Sequence, residues 1–177
     1  LAIGHVGRFS AVKNQAFLID ILSTLVSEGL DAVLVLVGDG ELRSSIEKKA
    51  VQAGLLDKVL FLGLRDDIPQ LMQAFDVFCF PSLHEGIPLV LIEAQASGLP
   101  VLTSDAVSSE ALVMNNASQL SLSCSLEAWS KKVIENALCG RAQNCFGMLS
   151  AAGYEINSSA LRLQNTYLSL YEGVKAQ

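Results

Sequence analysis

The segment GRFSAVKN places Arg8 and Lys13 five residues apart, across a loop and into the start of a helix. A helix N-terminus already presents free N–H groups and a partial positive charge. Two cations beside it make a site for a diphosphate, each opposite-charge contact at about 4 Å being worth on the order of 4 kcal/mol before desolvation. The plainer reading is a solvated Arg and Lys on a polar loop, since surface cations are common. The segment HEGIPLVLIE brackets a turn with two acids, Glu85 and Glu93, and contains no Lys or Arg to neutralise either. Glu85 falls in the loop before a helix framed by Pro88 and Gly98. Glu93 falls inside that helix among Leu91, Ile92 and Ala94, where burial is expected. A buried carboxylate needs hydrogen-bond partners, and two adjacent sugar hydroxyls would serve. The alternative puts Glu93 on the solvent face with Glu85 as a helix cap, and spacing leaves the two open. His84 reads as a loop or packing residue. No second His or Cys stands at metal-ligand spacing, so no metal is expected.

These side chains need a scaffold, and the hydrophobic pattern describes one. Strands are expected at AIGHVG (2–7), AVLVLVG (32–38), KVLFLG (58–63), DVFCF (76–80) and PVLTS (100–104), with QLSLS (119–123) as a sixth, edge strand. AVLVLVG is a continuous apolar run of the kind buried on both faces of a parallel sheet. Helical periods cover 14–28, 41–53, 67–75, 88–97, 125–138 and 157–174. The fifth of these carries Ser125 and Glu127 near its start, and the last carries Leu161, Leu168, Leu170 and Tyr171. In 88–97, Pro88 is read as the first helical residue and Gly98 as the stop. Repeated β-α-β units predict an α/β fold, a doubly wound, Rossmann-like parallel sheet of about six strands with helices on both faces. Residues 1–177 read as one domain, without internal repeat or linker.

In such a sheet ligands lie beyond the carboxyl ends of the strands. That rule selects the loops Gly7 to Lys13, Gly38 to Glu41, Gly63 to Asp67, Pro81 to Ile87 and Ser104 to Glu110. VGDGELR lacks the third Gly of a dinucleotide fingerprint and the G-K-[ST] of a phosphate loop, so it reads as a tight turn.

Composition narrows the function classes. Twelve Lys and Arg against 18 Asp and Glu give a net charge of −6, a poor balance for binding nucleic acid. With 51% hydrophobic residues and a mean hydropathy of +0.42, the chain is no disordered tail. Its apolar runs are cut by Gly, Asp or Pro well short of the roughly 18 residues of a membrane span. The opening LAIGHVGRFS has a strand-like pattern and no initiator Met or basic segment, as expected of a domain cut from a longer protein. Cys79, Cys124, Cys139 and Cys145 are scattered, which fits a reducing compartment, with Cys79 as a small hydrophobe in its strand.

Taken together, GRFSAVKN, LVGDGELR, VLFLG and FPSLHEGIPLVLIEAQASGLPVLTSD resemble the C-terminal domain of family-4 retaining glycosyltransferases of the two-Rossmann-domain (GT-B) fold. The resemblance is nearest to members that build capsular polysaccharide or exopolysaccharide, and it spans residues 3–113, with TYLSLYEGV matching more loosely. It implies that Arg8 and Lys13 grip the diphosphate of a nucleotide-sugar donor and stabilise its departure without a metal. It implies that Glu93 accepts from ribose hydroxyls and that Glu85 faces the donor sugar. Backbone N–H groups at Gly86, Ile87, Leu89 and Val90 would meet sugar hydroxyls and phosphate, with Gly7 at the strand end and the backbone around Leu64 and Arg65 framing the base. The implied donor is a UDP-sugar, and the implied acceptor a polysaccharide or a lipid-linked glycan. The acceptor-binding domain, with a further catalytic His, would precede this segment, so the fragment alone should bind donor weakly and not turn over. The setting would be cytoplasmic, with any peripheral contact at the inner membrane face made through that other domain.

Two positions depart from the family pattern. Pro88 stands where many members have Gly and contributes no N–H, and SDAVSSE stands where a Gly-Gly turn is frequent, so no role is carried to Ser109 or Glu110. The competing readings are a nucleotide-sugar epimerase of the same two-domain fold and a non-catalytic nucleotide-binding or receiver module. A receiver needs acids where this chain has Gly7 and Arg8.

Overall fold

The computed structural model describes residues 1–175; the last two of the 177 residues lie outside it. Its strands are β1 (Ala2–Val6), β2 (Val33–Val37), β3 (Val59–Gly63), β4 (Val77–Phe80), β5 (Val101–Ser104) and β6 (Ala117–Leu120). The helices are α1 (Gln15–Ser27), α2 (Arg43–Gln52), α3 (Ile68–Ala74), α4 (Leu89–Ala96), α5 (Leu126–Cys139), α6 (Cys145–Ala151) and α7 (Ile156–Lys175). The six strands form one parallel sheet in the order β3-β2-β1-β4-β5-β6. The order reverses between β1 and β4, and at such a switch point the loops diverge and leave a crevice.

Alternation along each strand explains the two layers. Leu34 and Leu36 of β2, with Val77 and Cys79 of β4, enter a core built with Leu18, Ile19, Ile21, Leu22 and Leu25 of α1, Ile46 of α2 and Trp129 of α5. Val35, Val37, Phe78 and Phe80 point the other way, against Met72 of α3 and Leu91 and Ala94 of α4. A strand covered on both faces tends to be apolar throughout, as VLVLV and VFCF are. Cys79 is a core hydrophobe, as read from the sequence, and burial pushes its thiol up to about 12. The side chain of Ser125 caps α5, accepting from the N–H of Ala128 at 3.3 Å.

Three expectations need correction. The sixth strand starts at Ala117 instead of 119, because Ala117–Leu120 pairs residue for residue with Val101–Ser104 and β5 offers no partner beyond Ser104. Pro88 is the cap of α4 (φ −71°, ψ 122°) and not its first helical residue. The extended ψ fits the donation from Leu91 N–H to Pro88 O at 3.0 Å that opens the helix. Helix α6 was not read from the sequence at all. CFGMLSA is short, and its one buried residue is Leu149, so it carries too little periodicity to stand out. Helix α7 extends with Leu161, Leu168, Leu170 and Tyr171 exposed, so burial in the core does not hold it.

Candidate functional site

The carboxyl end of β1 runs into the loop that carries both cations. Phe9, 1% exposed, anchors this loop in the core with its ring 6.2 Å from that of Phe61. Its N–H donates to Asp39 O at 3.0 Å, and its carbonyl accepts from Leu42 N–H at 3.1 Å. VGDG therefore has a structural task. A Cβ on Gly38 (φ +128°) would lie 2.2 Å from Gly7 O, and one on Gly40 would lie 2.5 Å from Phe9 O. These glycines let the β1 and β2 loops press together. At the far end Asn14 takes the left-handed conformation (φ 55°) and donates from Nδ2 to Pro81 O at 3.1 Å. Buried Gln15 donates from Nε2 to Arg8 O at 2.8 Å. Sequence reasoning missed Phe9, Asn14 and Gln15. An aromatic in a polar loop and an Asn that tolerates αL just before a helix were the available signals.

Gly7, Arg8, Leu64 and Arg65 come together in one cleft of about 410 Å³ with Val6, Val37, Gly38, Asp39 and Ile68. That volume falls in the range of small-molecule sites. Arg65 is fixed there by a two-point contact with Asp67 (2.8 and 2.6 Å), which raises the guanidinium's affinity for its proton. Arg8 pairs with Glu41 at 3.1 Å on the open surface.

Lys13 and Glu85 also meet. The Lys13 ammonium donates to Glu85 Oε1 at 2.5 Å, and it sits 4.7 Å above the Phe80 ring. The SDAVSSE loop supports the acid. Glu85 N–H donates to Ala106 O and Ser108 N–H to Glu85 O, both at 3.3 Å. The Ser104 hydroxyl donates to Ser82 O, and Thr103 Oγ1 donates to Phe80 O at 2.9 Å. From the edge strand, Gln119 Nε2 donates to Val107 O at 2.7 Å. These polar side chains at the end of β5 and on β6 gave no signal in sequence, because each acts on a carbonyl.

At Glu93 the structure decides between the two readings that spacing leaves open: the side chain is exposed, on the solvent face of its helix, while Glu85 pairs with Lys13. α4 buries Leu91, Ala94 and Gln95, and at 100° per residue positions 89, 93 and 96 then share the opposite, open face. Glu93 lines a hollow with Ile68, Pro69, Met72 and Gln73, and Ile68 also lines the Arg8 cleft, so the two hollows share Ile68 as a wall. On its other side, Glu93 and Leu89 border an apolar groove with Phe146, Leu149 and Tyr154. Gly86, Ile87 and Leu89 are exposed at the start of α4, and Val90 is half-buried. His84 is exposed, in the loop. Among the described residues, no three His, Cys, Asp or Glu side chains gather as a metal site requires.

These features define an α/β protein with a Rossmann-like parallel sheet, whose cation-bearing cleft lies over the ends of β1, β2 and β3 and whose Lys13–Glu85 pair bridges the loops after β1 and β4, at the switch point. The sequence matches the family described as Glycosyl transferases group 1 over residues 1–138, and the chain belongs to that family. EpsF of Bacillus subtilis (strain 168), assigned by name to the glycosyltransferases, is 43% identical over 170 residues, covering 94% of this chain and 44% of EpsF. The UDP-Gal:alpha-D-GlcNAc-diphosphoundecaprenol alpha-1,3-galactosyltransferase of Escherichia coli is 39% identical over 113 residues, 62% of this chain and 29% of that protein. The crystal structure of Anabaena Alr3699/HepE in complex with UDP superposes with a TM-score of 0.78 at 27% identity, covering 95% of this chain and 48% of that one. The chain thus spans less than half the length of each of these relatives. These likenesses favour a glycosyltransferase over the epimerase alternative. No helix among the described residues is long and apolar enough to cross a membrane.

Proposed function

We propose that this chain is the donor-binding, C-terminal domain of a retaining family-4 glycosyltransferase, a hexosyltransferase using a UDP-sugar and acting on a polysaccharide or lipid-linked acceptor. The observation that carries this reading is the convergence at one sheet edge of the Arg8–Arg65 cleft with the Lys13–Glu85 pair beside it. UDP in the Anabaena structure and the UDP-Gal donor named for the Escherichia coli relative support the choice of nucleotide. In this reading Arg8 and Lys13 neutralise the diphosphate and stabilise the charge that grows on it as the glycosidic bond breaks. Glu85 meets the sugar, and the first N–H groups of α4, at Leu89 and Val90, have no carbonyl one turn back and turn to the ligand with those of Gly86 and Ile87. Pro88 removes one donor from that row. Glu93, open to solvent beside Ile68, accepts from the ribose hydroxyls, and the backbone at Leu64 and Arg65 frames the uracil. The acceptor domain occupies other parts of the full-length, cytoplasmic enzyme, whose contact with the inner membrane face runs through that domain.

Thermal shift with UDP, GDP, ADP and their sugar conjugates tests the reading. A ligand at about 100 times its Kd stabilises the fold by roughly 2.7 kcal/mol, and the uridine compounds are expected to give the largest shift. Absence of a shift with every compound at millimolar concentration would remove the donor site. Arg8→Ala is expected to weaken UDP far more than uridine; equal losses would mean that Arg8 does not touch the phosphates.

A further inference from the structure

Both cations assigned to the diphosphate are already held by carboxylates, but in unlike surroundings. In the Arg8–Glu41 pair the side chains are 74% and 54% exposed. In the Lys13–Glu85 pair each is 19% exposed. An open pair is screened by water and salt and contributes little. Removing one partner of a shielded pair leaves an uncompensated charge that water reaches poorly.

We propose that the Lys13–Glu85 ion pair is a lock on the donor site, opened when a diphosphate draws Lys13 away and satisfied again only when the attached sugar donates hydroxyls to Glu85. The inference rests on the donor-site reading above. A diphosphate offers Lys13 more negative charge than one carboxylate does, so the ammonium exchanges acceptors. Glu85 is held back by its backbone, pinned on both sides to Ala106 and Ser108. The freed carboxylate keeps only partial access to water, and a largely shielded acceptor without a donor is costly. A sugar hydroxyl supplies the donor, whereas a bare nucleoside diphosphate brings none. The lock therefore favours the loaded nucleotide sugar over the spent nucleotide and helps the product leave once the sugar has been transferred.

Calorimetric titration of the full-length protein with UDP, UDP-glucose and UDP-galactose tests the lock. Glu85→Gln keeps the shape and removes the charge that holds Lys13. It is expected to tighten UDP by about threefold to tenfold, the range for a pair with partial access to water, and to erase the preference for whichever UDP-sugar the unsubstituted protein binds best. Glu41→Gln, at the open pair, is expected to stay within about twofold for every ligand. Unchanged or weaker UDP binding by Glu85→Gln, with UDP still bound by the unsubstituted protein, would overturn the lock and leave the donor site standing. Failure of the unsubstituted protein to bind UDP or either UDP-sugar would sink both. Glu85→Ala serves as a second variant, with ligand-free unfolding as the check on folding. Should neither variant fold, the unsubstituted protein decides: UDP binding tighter than both UDP-sugars refutes the lock, and the reverse order supports it.

Discussion

His5 lies inside β1 with no exposed surface, its ring stacked on those of Phe80 (5.4 Å) and Phe78 (6.2 Å). Its Nδ1 is 3.0 Å from Cys79 O, which can only accept, so Nδ1 carries the proton and Nε2 is a buried lone-pair acceptor. Burial first, then the nearby Lys13 charge, lowers the pKa from 6.5 to about 4 against the opposing bond to Cys79. The unfolded chain therefore binds more protons than the folded one between these values. The contribution to stability is present above the unfolded pKa and is lost as pH falls toward the folded one. A shift of this size corresponds to roughly 3 kcal/mol. His5→Phe keeps an aromatic ring and is expected to flatten this part of the stability profile between pH 6.5 and 4. Denaturant unfolding of both proteins at several pH values measures it, and parallel profiles would show that His5 does not titrate on unfolding. Neutral His5 also adds no second positive charge beside Lys13.

Between elements, the site depends on loops held by side chains that bind backbone carbonyls. Gln15, Asn14, Thr103, Ser104 and Gln119 all act this way on the loops carrying Arg8 and Glu85. Arg141 does the same for α3 and for the end of α4, the helix that carries Glu93. Its guanidinium donates to Ser97 O at 3.0 Å, Met72 O at 2.8 Å, and Gln73 and Phe75 O at 2.9 Å. Arg141→Ala leaves these carbonyls to water or unpaired and is expected to destabilise the fold by about 2–3 kcal/mol, typical for hydrogen bonds to a charged group. Denaturant unfolding measures it, and a change below about 0.5 kcal/mol would show that water replaces the guanidinium.

In the whole molecule, the strand order 3-2-1-4-5-6 places the Arg8 and Glu85 loops side by side, although Lys13 and Glu85 are 72 residues apart in sequence. Residues 1–177 alone are expected to bind UDP-sugar without transferring it, while the full-length protein transfers. Incubating each with radiolabelled donor and acceptor membranes checks this, and transfer by the fragment alone would overturn the division of labour. The apolar side chains left exposed along α7 show that this part of the chain is not stabilised by the domain's own core.

The strands, five of the first six helices and the loops at the carboxyl ends of the strands were legible in the sequence, because covered strands are dominated by apolar residues and amphipathic helices repeat every 3.6 residues. Arg8, Lys13 and Glu85 stood out by charge in loops that the strand pattern had already located, and Glu93 by charge inside the apolar helix that follows one of them. Short α6 did not, nor did the register of β6, which depends on where β5 ends. Tertiary structure alone decided which face of α4 presents Glu93, that Glu85 is held by Lys13, and that Arg8 turns to Glu41. Periodicity records how much of an element is covered, whereas an ion pair depends on three-dimensional distance between segments that the sequence keeps far apart.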